Sequence, residues 1–165
     1  MHPSANPAAR ITPCLWFDFN AEDAVAFYAS IFPNSRVAHV SHYGAESPEH
    51  QGKVLMIEFE LNGQPFQALN GGPMFKFNEA MSLSVDCADQ AEVDRVWDAL
   101  TADGGQAVQC GWLKDRFGVS WQIVPRVWWD ILHSSDKTAV QRAFMALFGM
   151  QKLDVAALEK AFRGD

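Results

Sequence analysis

Apolar and polar positions alternate along Thr12–Phe19 (T-P-C-L-W-F-D-F), a period of two that predicts a β-strand. The period then changes. Ala24, Val25, Phe27, Tyr28, Ile31 and Phe32 recur at helical spacing, predicting a helix from Ala21 to Phe32 with Asn20 as its cap and Pro33-Asn34 as its stop. Three strands follow over Arg36–Tyr43, Lys53–Leu61 and Pro65–Asn70. The last two are joined by Asn62-Gly63, a pair that tolerates the positive φ of a tight hairpin. After a linker the same order of patterns returns. Ala80–Cys87 reads as a strand, and a helix runs from about Asp89 to Ala102 and stops at Gly104-Gly105. Gln106–Cys110, Gly111–Lys114 and Val119–Val124 read as strands, with Asp115–Gly118 as a turn in which Asp115 bonds backbone amides.

Sliding the chain over itself brings Leu15 onto Leu83, Phe17 onto Val85, Asp18 onto Asp86, Val25 onto Val93, Tyr28 onto Val96 and Phe32 onto Leu100. On the last strands, Gly63-Gln64-Pro65-Phe66-Gln67 pairs with Gly118-Val119-Ser120-Trp121-Gln122, so each unit ends in an aromatic-Gln step. The expected fold is therefore α+β: two paired βαβββ units, residues 11–72 and 79–125, forming curved mixed sheets. Residues 1–10, with Pro3 and Pro7 and no apolar run, read as a frayed terminus rather than a signal peptide. Residues 126–165 form a helical extension. Arg126–Leu132 bridges into a helix capped by Asp136 or Ser135 and running to Phe148, and Asp154 caps another through Phe162. These helices need a surface to cover, either their own sheet or a second subunit.

Composition narrows the partners. A net charge of -7 with scattered Lys and Arg argues against nucleic acid, and no apolar run is long enough to span a membrane. Cys14, Cys87 and Cys110 are odd in number and form no C-x-x-C pair, which points to a reducing cytoplasm and to small buried apolar roles. The histidines form no metal set by spacing. His39 and His42 stand at i, i+3 on a strand and so on opposite faces; His2, His50 and His133 lie in the terminus, a loop and the extension.

The stretches Ile11–Ala24 (I-T-P-C-L-W-F-D-F-N-A-E-D-A), Leu69–Ala80 (L-N-G-G-P-M-F-K-F-N-E-A) and Cys110–Pro125 (C-G-W-L-K-D-R-F-G-V-S-W-Q-I-V-P) resemble the vicinal oxygen chelate superfamily of glyoxalases, bleomycin-resistance proteins and extradiol dioxygenases. Within it the chain is similar to the PhnB-like branch, often labelled 3-demethylubiquinone-9 3-methyltransferase-like. The resemblance implies a cup of curved sheet whose mouth commonly holds a divalent metal on the first and last strands of each unit. The matching positions here are Thr12, Gln67, Ala80 and Gln122. Such metals want imidazole, carboxylate or thiolate ligands, so neither a metal nor another cofactor is expected at this place. Methyl transfer is not expected either, because the only Gly pairs, Gly71-Gly72 and Gly104-Gly105, form no spaced Gly-x-Gly turn after a parallel strand.

Alternation places Cys14 and Trp16 with Thr12, Leu69 with Gln67, Ser82 with Ala80, and Ser120 with Gln122 on the cup face. This neutral, aromatic set suits a small organic molecule. Phe77, Asn78 and Glu79 of the linker are candidate rim residues, and Trp112 a candidate wall. Glu79 is the candidate general base if there is chemistry; the plainer role for Asn78 and Glu79 is to hold the loop through backbone hydrogen bonds. The leading expectation is a small-molecule-binding protein, with or without metal-independent turnover, working as a homodimer. The alternatives are a non-enzymatic dimer that stacks a planar ligand on Trp16 and Trp112, and a metal-dependent enzyme with relocated ligands such as Glu79 and His42.

Overall fold

The computed structural model describes residues 11–165, so the expectations for residues 1–10 and His2 lie outside the described residues. The chain divides into two compact units after Lys76. In the first, β1 (Cys14–Phe17), α1 (Ala21–Ile31), β2 (Arg36–His42), β3 (Val54–Leu61) and β4 (Gln64–Asn70) build a sheet of order β1-β4-β3-β2. In the second, β5 (Leu83–Cys87), α2 (Gln90–Thr101), β6 (Gln106–Ala107), β7 (Trp112–Lys114) and β8 (Ser120–Pro125) build one of order β5-β8-β7-β6. In each sheet the first strand runs parallel to the last and the other pairings are antiparallel. The duplicated α+β architecture is thus present in both halves.

Each sheet closes one face with its own helix, for the reason the periodicity implies. Leu15, Phe17, Ile57, Phe59, Phe66 and Ala68 are buried beside Ala24, Val25, Tyr28 and Ile31 of α1. Cys87, Leu113, Trp121 and Ile123 are buried beside Val93, Val96, Trp97 and Leu100 of α2. All three helical residue pairs that the repeat aligned are core residues.

The element ends depart from expectation where long-range bonds intervene. Asn20 stands at the N-cap position of α1, but its side chain makes no capping bond. Asn70, at the end of β4, supplies the acceptor instead: Ala21 N–H donates to its Oδ1 at 2.9 Å. Asp89, Asp136 and Asp154 do cap their own helices, accepting from Glu92, Ala139 and Ala157 N–H. β1 is shorter than expected, with Pro13 lacking an N–H before it and Phe19 at φ 55 after it. β5 begins only at Leu83, because Asn78 Oδ1 accepts the Ala80 N–H in a turn.

The extension packs on the second unit. Arg126–His133 forms α3, followed by α4 (Lys137–Phe148) and α5 (Val155–Arg163). Trp128, Ile131, Ala143, Leu147, Leu153 and Leu158 share a core with Val124 of β8. The Cys110 and Gly111 N–H groups donate to Met150 and Gln151 carbonyls at 2.8 and 2.7 Å. Backbone donors expected in a β6–β7 hairpin are therefore spent on the extension, which is why β6 and β7 are short. Gly111 is required here: at φ 82, a Cβ would lie 3.0 Å from Leu153 Cδ1 and 3.1 Å from the Ile123 carbonyl.

Candidate functional site

The faces turned away from α1 and α2 carry the candidate residues. On the first sheet, register sets Cys14 opposite Gln67, Gln67 opposite Glu58, and Glu58 opposite His39. The next row is Trp16, Leu69, Met56 and Ser41. Cys14, Trp16, Gln67 and Leu69 are thus brought together on one face, as alternation implied. Trp16 is fixed in place: its Nε1 donates to the Gly72 carbonyl at 2.8 Å and its ring meets Phe75 edge-on at 4.8 Å. A Cβ at Gly71 would lie 2.3 Å from Trp16 Cζ2, so the Gly71-Gly72 pair serves as the seat of an indole.

Sequence reasoning missed two features of this unit. Glu58 and Glu60 project from β3 beside Gln67, legible only as the Glu-x-Glu step in K-V-L-M-I-E-F-E-L. Arg36 holds Glu60 with two hydrogen bonds of 2.9 and 2.5 Å, whereas the Glu58 side chain has no hydrogen bond or ion pair among the described residues. Thr12, Ala38, Glu58, Glu60, Pro65 and Gln67 line a cleft of about 320 Å³. His39, Val40, Ser41 and His42 follow one another along β2 with no inserted residue, and the extra residue at this end of the ladder is Leu55 of β3, so the two histidines keep the opposite faces that alternation implies. The second feature is His50, which stacks on Phe19 at 4.7 Å and takes a 3.1 Å hydrogen-bond contact between Nδ1 and Ser47 Oγ.

On the second sheet, Gln122 lies opposite both Ser84 and Trp112, and Ser120 lies opposite Lys114. Gln122 Nε2 donates to Ser82 Oγ at 2.8 Å, which unites Ser82, Gln122 and Trp112 as expected and adds Lys114. Lys114 pairs with Glu79 of the linker. That hydrogen bond, the group's own backbone and the Lys114 charge hold the Glu79 carboxyl below the usual glutamate range. The pair is complete above the ordinary glutamate pKa and is lost as pH falls through the lowered one. A carboxylate so held is a weaker proton acceptor. Asn78 spends its side-chain oxygen on the loop, and Phe77 is half-buried at the start of this unit.

The ladders also correct the repeat alignment. Superimposing Gln67 on Gln122 sets Cys14 on Ser84 and Phe17 on Cys87, with strand ends matching at Asn70 and Pro125. The slide that brings Leu15 onto Leu83 would set Cys14 on Ser82, two residues away. A period-two pattern cannot register such a slip, because every side chain keeps its face. The counterpart of Thr12 is therefore Ser82, not Ala80. The four positions become two hydroxyls and two amides, without an anionic ligand. Among the described residues no three His, Cys, Asp or Glu side chains gather to hold an ion. This donor set does not fit a divalent transition metal.

The cysteines divide. Cys87 is buried, and desolvation followed by the Glu92 and Asp86 charges pushes its thiol up to about 12. Cys14 is exposed rather than the buried apolar residue expected. No helix among the described residues is long and apolar enough to cross a membrane.

Two α+β halves of this topology, each a four-stranded mixed sheet, define the vicinal oxygen chelate fold. The chain belongs to the family described as 3-demethylubiquinone-9 3-methyltransferase, whose model matches residues 9–124. It is 36% identical to the PhnB protein of Bacillus cereus, over 71% of this chain and 99% of that one, with a TM-score of 0.64. A protein from Pseudomonas aeruginosa shares the fold at 22% identity and TM-score 0.59, covering 72% of this chain and 98% of that one. The fosfomycin resistance protein FosX of Listeria monocytogenes, solved with Mn(II) and sulfate, shares it at 15% identity and TM-score 0.50, covering 72% and 90%. No curated protein matches the chain.

Proposed function

We propose that this PhnB-like protein binds a small organic molecule on its open sheet faces and does so without a divalent metal. The neutral amide at the end of each last strand carries the reading: Gln67 borders a cleft, and Gln122 is oriented by Ser82. An amide offers one acceptor and two donors, which suits a carbonyl or hydroxyl ligand better than a cation. The flanking Trp16 and Trp112 add flat apolar surface. The methyltransferase description of the family finds no support in a nucleotide-type glycine turn. Cysteine usage supports a reducing, cytoplasmic setting.

Thermal-shift screening and metal analysis of the purified full chain test this. Organic ligands should raise the melting temperature, added Mn(II) or Zn(II) should not, and the protein should carry no stoichiometric metal. Gln67→Ala or Gln122→Ala should weaken the hits by about tenfold, the loss of one or two buried hydrogen bonds. A stoichiometric ion whose removal abolishes ligand binding would reverse the reading. Binding without conversion of the ligand favours sequestration over catalysis.

Self-association is part of the same proposal, supported by exposed Trp129, Met145 and Phe148 on the extension. Light scattering should give a mass near twice the 18.4 kDa chain, and a monomer mass would reject it.

A further inference from the structure

The face of the second sheet turned away from α2 contains a buried polar atom with no partner. Ser120 is 2% exposed, and its Oγ has no hydrogen bond among the described residues. Buried hydroxyls are almost always bonded, and an orphaned one costs stability. Its surroundings point to what it would bond. Ser120 lies directly opposite Lys114, and Gln122, two residues on, lies opposite Trp112. Directly paired side chains stand on one face, so a hydroxyl, an ammonium, an amide and an indole share this surface.

The ammonium already holds a carboxylate, that of Glu79, which is 61% exposed and comes from a turn pinned by Asn78. Asp86, the other carboxylate on this side of β5, is engaged by Arg126 at 3.4 Å and does not compete for Lys114.

We propose that this face is a seat for a small aromatic carboxylate. Lys114 and Ser120 bind its carboxylate, Trp112 packs on its ring, and Glu79 is the built-in carboxylate that the ligand displaces. This rests on the small-molecule reading above and names its ligand class. Exchanging one carboxylate for another on Lys114 is nearly neutral electrostatically. The ligand then gains what Glu79 does not make, a bond to the Ser120 hydroxyl and contact with the indole, and only such differences shift the exchange.

Calorimetric titration of the full chain with benzoate, its uncharged isostere benzamide, and inorganic phosphate tests the seat. Removing the internal competitor in Glu79→Gln should tighten benzoate about five- to tenfold, a coupling of ordinary size. Lys114→Met should weaken it by about tenfold or more through loss of the charge-assisted bond. Ser120→Ala should weaken benzoate by about fivefold yet leave the melting temperature of the free protein unchanged or higher, since the hydroxyl has no partner to lose. An unchanged benzoate affinity in Glu79→Gln, a melting temperature lowered by Ser120→Ala, or phosphate binding as tightly as benzoate would each overturn the seat. Benzamide binding as well as benzoate would also overturn it while leaving the small-molecule reading intact. A screen without any organic binder would reject both.

Discussion

Asp115→Ala is expected to lower the unfolding free energy by about 3–5 kcal/mol, because it leaves three donors unsatisfied at about 1–3 kcal/mol each when fully buried. Asp115 is 3% exposed, and its carboxylate accepts Phe117 N–H at 2.8 Å, Val119 N–H at 3.0 Å and Trp121 Nε1–H at 2.8 Å. Alanine would strand all three donors at once. Val119 and Trp121 are themselves buried, so water cannot readily replace the carboxylate. The loss would spread to β8, because the same turn sets the register that places Ser120 and Gln122 on the face turned away from α2. Asp115→Asn, which keeps one acceptor but turns an NH₂ toward a donor, should cost less, about 2 kcal/mol. Urea unfolding with an unchanged m-value is the measurement. A loss under about 1 kcal/mol for Asp115→Ala would mean that the donors find other partners.

Asn70→Ala should cost about 2–4 kcal/mol, combining a lost helix cap with two lost buried bonds. Asn70 is 2% exposed; besides accepting from Ala21 N–H, its Nδ2 donates to Glu22 Oε2 at 2.7 Å and to the Val54 carbonyl at 3.1 Å. One side chain thus ties β4, β3 and the start of α1. Asn20→Ala, at the residue that stands in the cap position without capping, should cost less than about 0.5 kcal/mol, as surface changes do. The reverse order of these two losses in the same denaturation experiment would show that Asn20 caps α1 in solution.

These two residues mark the boundary of what a sequence shows. Asp115 was legible, because an Asp opening an Asp-x-x-Gly turn bonds amides within a few residues of itself. Asn70 was not: it caps a helix at the other end of its unit, and nothing local distinguishes it from any strand-terminal Asn. The candidate site divides in the same way. Cys14, Trp16, Gln67, Leu69, Ser82 and Gln122 share the faces turned away from the helices because alternation is a local rule, whereas Trp112 joins Gln122 only through register. Glu58 and Lys114 were overlooked although they stand beside Gln67 and Ser120, since cross-strand neighbours follow from register.

By itself the order of apolar periods determined the two βαβββ units and the buried faces of α1 and α2. Those properties depend on which residues repeat at spacings of two and 3.6, and a chain carries that information locally. Tertiary structure alone decided the alignment of one unit on the other, the cap of α1, the seating of the extension on the Cys110-Gly111 turn, and the pairing of Glu79 with Lys114. Each depends on hydrogen-bond donors and charges meeting across long stretches of chain, and a two-residue slip or a distant acceptor leaves the hydrophobic pattern unchanged.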